Sequence, residues 1–534
     1  MDSQKKKIVD GGTAAAYVAY AMSEMATVYP ITPIAEMGET AQKWALQGIT
    51  NFEGMPMEVR EMESELGAAG ATHGALSGGT LATTFTSSQG LMLMIPNMFK
   101  MAGELLPAVF HIGCRSVATH ALSIFGDHSD VMATRSTGFA ILMSASVQET
   151  HDLAIVAHLA AVDGSVPVLH CFDGFRTSNE MSTISMLPYE SIFSLVDRDK
   201  ILEFRRRAMN PEHADVRGTA QNPDVYFQNR EACNRYYDAF PSVVERQMER
   251  VAALTGRPIH LFDYVGSPTA ENIIIAMGSS CEVIEETVDS LNAMGYNVGA
   301  VKVHLYRPFA IDKFMTALPS SVRKIAVLDR TKEPGAPGEP LFTDVACAIQ
   351  QSGSQVKVIG GRYGLSSKEF DPTMVKAVYD HLASDNPFTG FTVGINDDVT
   401  GLSLPLGEKI FISPSGMTQA QFYGIGADGT VGATKQAASI IGDTDKYYAQ
   451  AYFQYSAKKS GGYTVSQLRV ATSPIKSEYC IEKADYIACN KNTYVNKFDL
   501  TGNLRNGGIF VLASPWSVDE MSAIFPAALK RDIA

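Results

Sequence analysis

The chain has 534 residues, 46% of them hydrophobic and 19% charged, a globular composition that excludes a disordered chain, a collagen-like sequence and a small disulfide scaffold. At about 100–200 residues per domain, that length calls for about three or four domains. With 44 Lys and Arg against 57 Asp and Glu, the net charge is −13; an acidic surface repels phosphate backbones, so nucleic acid is not an expected partner.

The first quarter alternates short β-like runs with helical stretches rich in Ala, Met and Gly, the pattern of α/β layers around a mostly parallel sheet. The spacing predicts a helix over Thr13 to Met25, a strand over Ala26 to Ile31 and a helix over Pro33 to Leu46. Further on come a helix over Glu65 to Leu76, a strand over Thr80 to Thr86, a helix over Gln89 to Leu105 and a strand over Ala108 to Ile112. Between Ser194 and about Pro258 charge rises and Tyr, Asn and Pro cluster, which reads as a lobe margin or an arm reaching a neighbour. A fresh α/β pattern begins at Ile273, with a helix over Glu282 to Met294 and strands over Val298 to Val303 and Ile325 to Leu328. A third unit starts near Thr418 with a strand over Gln419 to Tyr423, a glycine loop and a helix, and it closes with a strand over Ile509 to Ala513 and a helix from Val518.

The seven cysteines are never closer than the step from Cys480 to Cys489, and no Cys-x-x-Cys occurs. Iron–sulfur and structural zinc centres draw thiolates from such short steps, so none is expected within this chain. The first ten residues carry no apolar signal core, and no apolar run approaches the ~18 residues that span a bilayer. The expectation is a soluble cytoplasmic protein with reduced thiols and no membrane partner, a hydrogenosome or similar organelle being the open alternative.

Four constellations have chemical potential. In Tyr29-Pro-Ile-Thr-Pro33, prolines fix the backbone while Thr32 presents a hydroxyl at a strand's carboxyl end, where open α/β sheets bind ligands; the plain reading is a strand-ending turn with a capping Thr. In Arg60-Glu-Met-Glu-Ser-Glu65-Leu-Gly-Ala-Ala-Gly70, Glu65 alone is followed at once by small residues, so it is the acid placed for burial, with solvated helix capping as the alternative. Arg115, in His111-Ile-Gly-Cys-Arg115, ends a strand with a guanidinium able to grip a carboxylate through two parallel hydrogen bonds, or to form a structural ion pair. Nearby Gly126-Asp-His-Ser-Asp130 lacks a full metal-ligand set and reads as a polar loop, while Ser87, Ser88 and Gln89 are candidate helix caps facing the same cleft. The fourth is the loop Gly424-Ile-Gly-Ala-Asp-Gly-Thr-Val-Gly432, whose spacing between strand and helix suits phosphate binding by backbone amides, with Lys458 and Lys459 as added cations. Cys281 reads as a packed thiol rather than a nucleophile, with no histidine or acid at hand.

Taken in order, these segments resemble the amino-terminal half of the homodimeric, single-chain pyruvate:ferredoxin (flavodoxin) oxidoreductases. The resemblance rests on Tyr29-Pro-Ile-Thr-Pro33, Arg60-Glu-Met-Glu-Ser-Glu65-Leu-Gly-Ala-Ala-Gly70, the stretch from Ser88 to Met98, His120-Ala-Leu-Ser-Ile-Phe-Gly-Asp-His128, Phe172-Asp-Gly-Phe-Arg-Thr-Ser178, Leu305-Tyr-Arg-Pro-Phe309, Leu328-Asp-Arg-Thr-Lys-Glu-Pro-Gly-Ala-Pro-Gly338 and Gly426-Ala-Asp-Gly-Thr-Val-Gly-Ala433. It implies an α/β fold: a thiamine diphosphate pyrimidine-binding, transketolase-like domain with a parallel sheet over residues 1–258, a transketolase C-terminal-like α/β domain over 259–415, and the start of a third, coenzyme A-binding α/β domain over 416–534. It implies oxidation of pyruvate with coenzyme A to acetyl-CoA and CO2, electrons passing through [4Fe-4S] clusters to ferredoxin or flavodoxin. Glu65 matches the acid that hydrogen-bonds the cofactor's aminopyrimidine ring and thereby helps remove the thiazolium C2 proton. Thr32 and Arg115 match pyruvate-binding positions, and Ala427, Asp428, Gly429, Thr430, Val431 and Lys459 match contacts to coenzyme A. The family's Mg-diphosphate signature, Gly-Asp-Gly followed by Asn, and its cysteine clusters are absent from these 534 residues. The chain is therefore expected to be a fragment or to need another polypeptide, and to be inactive alone. Two alternatives accompany that expectation: a silent fragment that dimerises or binds coenzyme A, and part of a pyruvate:NADP oxidoreductase fusion.

Overall fold

The computed structural model of the chain describes residues 4–214, 216–412, 414, 416–456 and 462–533. In chain order its strands are β1 (Lys5–Asp10), β2 (Met25–Val28), β3 (Glu58–Glu61), β4 (Ala82–Thr86), β5 (Val109–Cys114), β6 (Ala140–Met143), β7 (Val168–Asp173) and β8 (Met181–Met186). There follow β9 (Phe262–Gly266), β10 (Asn272–Ala276), β11 (Val298–Val303), β12 (Leu305–Arg307), β13 (Lys324–Asp329), β14 (Lys357–Arg362) and β15 (Phe391–Thr392). The last are β16 (Thr418–Ile425), β17 (Tyr448–Tyr455), β18 (Tyr463–Ala471), β19 (Ala484–Cys489) and β20 (Leu504–Leu512). They make three sheets among the described residues, divided between two compact units.

The first unit comprises residues 1–4, 11–178 and 187–408 and holds two of the sheets. The first sheet runs β12-β6-β7-β5-β4-β2-β3 and is parallel except for β12. Every residue of β4, β5, β6 and β7 is buried, as parallel strands covered on both faces by helices must be. The Ala-rich helix Gly11–Met22 buries ten of its residues and packs on the helix Val147–Gly164, small side chains allowing close approach. The second sheet runs β15-β14-β13-β10-β11-β9, parallel except for β9. One apolar core crosses residue 258, joining Leu169 and Phe110 with Val303, Leu305 and Tyr306.

The second unit comprises residues 5–10, 179–186 and 409–534. Its sheet runs β1-β8-β17-β18-β16-β19-β20, antiparallel apart from the pairings of β19. Strands β1 and β8 thus come from within the range 1–258, which the sequence reading gave whole to one domain.

Other differences have local causes. The strand expected to reach Ile31 stops at Val28 because Pro30 and Pro33 offer no amide to a ladder. The helix expected over Gln89 to Leu105 is two helices, Ser88–Leu93 and Ile95–Gly103, with Pro96 in the first turn of the second. The proposed arm is in part core: the helix Asn234–Thr255 buries Phe240, Val244, Met248 and Val251 and packs on Val147–Gly164, while residues 210–214 and 216–232 are mostly exposed.

Candidate active site

The order β7-β5-β4-β2-β3 sets the carboxyl ends of these parallel strands side by side, the edge at which open α/β sheets bind ligands. The helix after β3 begins at Glu65, with Ser64 as N-cap accepting from the Gly67 amide. Glu65 is only 8% exposed, yet its carboxylate has no hydrogen bond or ion pair among the described residues. The helix start favours its charge, and with no donor from the protein the carboxylate is left available to a partner from outside.

Across from it lies the turn after β4. A Cβ on Gly90 would stand 2.6 Å from Thr86 Oγ1 and 2.8 Å from Glu65 Oε1, so only glycine leaves the carboxylate its space. Thr86 Oγ1 is itself buried without a partner. Glu65 and Thr86 therefore present an unmatched acceptor and an unmatched hydroxyl to one cradle.

Arg115, after β5, is 8% exposed; its Nη1 donates to the Thr32 carbonyl at 2.8 Å and its Nε to the Ser123 carbonyl at 3.4 Å. Nη2 has no partner among the described residues. Gly113 makes this approach possible, since a Cβ there would strike Ile34 on the turn that carries Thr32. The Thr32–Pro33 bond is cis and Thr32 is exposed. Burial lowers the Arg115 pKa, and Asp130 opposes that shift.

Asp130 binds the turns together: Oδ2 accepts from the Ser88 amide at 2.8 Å and from the Arg115 amide at 3.0 Å. Ser88 sits at φ 53°, a backbone cost of about 1–3 kcal/mol for a non-glycine residue, and Asp130 holds it there. Burial pushes the Asp130 carboxyl up to about 7, against the pull of those amides. The Gly126–Asp130 segment, read from sequence as a polar loop, is thus the brace of the site. Ser87 caps nothing; its hydroxyl donates to the Gly113 carbonyl and ties β4 to β5.

At the end of β7, Asp173 is fully buried and fully engaged, with His128 Nε2 at 2.6 Å, Arg330 Nη1 at 2.8 Å, and the Ser279 amide and hydroxyl at 2.8 and 2.6 Å. Although burial raises its pKa, Arg330, His128 and Ser279 outweigh that and hold the carboxyl far below its ordinary value. Thr86, Gly90 and Asp173 have no role assigned from the sequence and Asp130 is read there only as part of a polar loop, because the contacts that define them join residues far apart in the chain.

The glycine loop belongs to the second unit and follows β16, leading into the helix Thr430–Gly442. Ala427 and Gly429 take φ of 70° and 87°. Asp428 accepts from the amides of Ile425 at 2.7 Å and Thr430 at 2.9 Å. Those two amides are already satisfied, a correction to the reading of the whole loop as a phosphate cradle. Lys458 and Lys459 lie outside the described residues. Cys281 is buried, and burial drives its thiol well up, as a packed thiol requires. Among the described residues no group of three or more His, Cys, Asp or Glu could hold a metal ion, and no helix is long and apolar enough to cross a membrane.

Three family descriptions match the chain in order: "Pyruvate flavodoxin/ferredoxin oxidoreductase, thiamine diP-bdg" over residues 17–249, "Pyruvate:ferredoxin oxidoreductase core domain II" over 270–374, and "Pyruvate ferredoxin/flavodoxin oxidoreductase" over 419–532. The chain belongs to the pyruvate:ferredoxin/flavodoxin oxidoreductase family. It is 58% identical over 99% of its length to the pyruvate:ferredoxin oxidoreductase of Moorella thermoacetica and 54% identical over 99% to the pyruvate-flavodoxin oxidoreductase of Enterobacter agglomerans, spanning 45% of each. It is also 50% identical to the mitochondrial pyruvate dehydrogenase [NADP(+)] of Euglena gracilis, spanning 30% of that protein. The chain therefore covers less than half the length of these family relatives. Its fold resembles that of the 2-oxoglutarate:ferredoxin oxidoreductase of Magnetococcus marinus, solved with 2-oxoglutarate, coenzyme A and succinyl-CoA, at a TM-score of 0.53 and 18% identity over 71% of this chain and 65% of that one.

Proposed function

We propose that this chain supplies the cofactor-activating and substrate-gripping residues of a pyruvate:ferredoxin or flavodoxin oxidoreductase. The reaction is pyruvate plus coenzyme A giving acetyl-CoA, CO2, one proton and two electrons, the electrons leaving through [4Fe-4S] clusters to ferredoxin or flavodoxin. The observation that carries the reading is the buried, unpartnered Glu65 carboxylate beside Gly90 and the orphaned Thr86 hydroxyl. Such a cradle fits a heterocycle bearing both a ring nitrogen and an amino group, as the aminopyrimidine of thiamine diphosphate does.

When bound, thiamine diphosphate supplies a carbon nucleophile and an electron sink for decarboxylation. Glu65 would share a proton with the pyrimidine nitrogen of the bound cofactor, which sets the tautomer of the ring. Arg115, steadied by the Thr32 and Ser123 carbonyls, offers Nη2 to the pyruvate carboxylate. The Thr32 hydroxyl orients the substrate oxygens, so the keto carbon is held for attack rather than sampled by diffusion.

Residues 11–178 and 187–258 serve as the pyrimidine- and pyruvate-binding domain, 259–408 as a transketolase C-terminal-like domain, and 409–534 together with β1 and β8 as the beginning of the coenzyme A domain, in a homodimer. Coenzyme A meets Ala427, Asp428, Gly429, Thr430, Val431 and Lys459; since Asp428 holds two amides, the phosphates fall to the remaining loop backbone and to the lysine. The Mg ligands and the clusters lie in the part of the relatives' length that this chain does not span.

The test uses the full-length protein that contains this chain. Pyruvate and coenzyme A should reduce a viologen dye, and Glu65→Ala should lower turnover by about 10²–10⁴. Wild-type turnover in that variant rejects the role of Glu65.

A further inference from the structure

The second sheet of the first unit has a carboxyl edge of its own. Chain order reverses between β10 and β13, the position where a doubly wound sheet opens for a ligand. Here that position is filled, because the Ser279 amide and hydroxyl and Arg330 are bonded to Asp173. Farther along the same edge, past the ends of β13, β14 and β15, there is an open cavity of about 460 Å³, within the range of small-molecule sites.

Its lining is cationic in an otherwise acidic protein: Lys332, Arg362 and Lys368 against the single carboxylate of Asp397. Arg362 is braced by Glu339 Oε1 at 3.2 Å and the Gly390 carbonyl at 2.9 Å. The side chains of Lys332 and Lys368 are exposed and have no hydrogen bond or ion pair among the described residues. A second, independent observation comes from Thr392. It is 8% exposed and lines the cavity, its amide and carbonyl are taken by Leu402 and Leu404, yet Oγ1 has no partner. The wall of this cavity thus carries one buried, unmatched hydroxyl and two exposed ammonium groups without partners, a set that suits an anionic acceptor from outside. Val393 and Ile395 give the cavity an apolar wall.

We propose that this cavity binds a phosphorylated small molecule of mononucleotide size, its phosphates between Lys332, Lys368 and the Thr392 hydroxyl and its base against Val393 and Ile395. The assignment is independent of the role proposed for Glu65.

Calorimetry of the 534-residue chain with ADP as the probe tests it. Binding is expected, weakened by added salt, at least tenfold weaker in the Lys332→Ala/Lys368→Ala double variant and several-fold weaker in Thr392→Val. Because both lysines are exposed, the double variant keeps its fold, which its circular dichroism verifies. Absence of binding, or an affinity indifferent to both Lys332→Ala/Lys368→Ala and Thr392→Val, would overturn the proposal.

Discussion

Two carboxylates are buried along one sheet edge in opposite circumstances. Asp173 has an imidazole, a guanidinium, an amide and a hydroxyl around it; Glu65 has none of these and faces an orphaned hydroxyl and a glycine. Burial alone therefore does not mark a functional acid. Completed hydrogen bonding marks a carboxylate used to hold the fold, and missing hydrogen bonding marks one reserved for a ligand.

The contrast can be broken most forcefully at Asp173. Asp173→Ala leaves Arg330 and His128 buried without their anion and should cost about 3–5 kcal/mol of stability, read from denaturant unfolding. A loss below about 1 kcal/mol would put the two acids in the same class. Arg115→Ala should raise the KM for pyruvate in the full-length enzyme by about 10–100-fold, the loss of a charged hydrogen bond of about 1.5–3 kcal/mol. Arg115→Lys should recover only part of it, since an ammonium lacks the fork. Glu65→Gln should change stability by less than about 1 kcal/mol, because no partner in the fold is lost.

The smallest effect belongs to the brace. The Asp130 carboxyl rises from 3.8 to about 7, so its contribution to stability is fully present below the lower value and lost as pH rises through the higher one. Asp329, also buried and also raised to about 7, acts in the same direction. Asp130→Asn cannot ionise, so its melting temperature should fall less between pH 6 and 8 than that of the wild type, by about 1–2 °C in a chain of this size. Parallel pH profiles would remove Asp130 from the balance.

The same contrast shows what the sequence could reveal. The alternation of β4, β5, β10, β11 and β13 with helices was legible because buried parallel strands are short continuous apolar runs. Glu65, Thr32 and Arg115 were candidates because each stands at a strand or helix end, Glu65 before a run of small residues, Thr32 between prolines and Arg115 just after a glycine-containing strand. Strands β1 and β8 were not: Lys5–Asp10 carries three lysines, and its partner Met181–Met186 is a polar run far along the chain. Nor did composition mark that the core continues past residue 258, since that depends on Val303, Leu305 and Tyr306 joining it in space. Asp130 was weighed as a metal ligand and set aside; its function as a brace depends on two backbone amides, which leave no mark in side-chain chemistry.

The claim that Glu65 waits for a heterocycle is tested most directly by a crystal structure of the full-length protein with thiamine diphosphate bound. The account predicts the Glu65 carboxyl at about 2.6–3.0 Å from a pyrimidine ring nitrogen, with the ring over Gly90. A ring seated elsewhere, or a Glu65 side chain turned out to solvent, would contradict it.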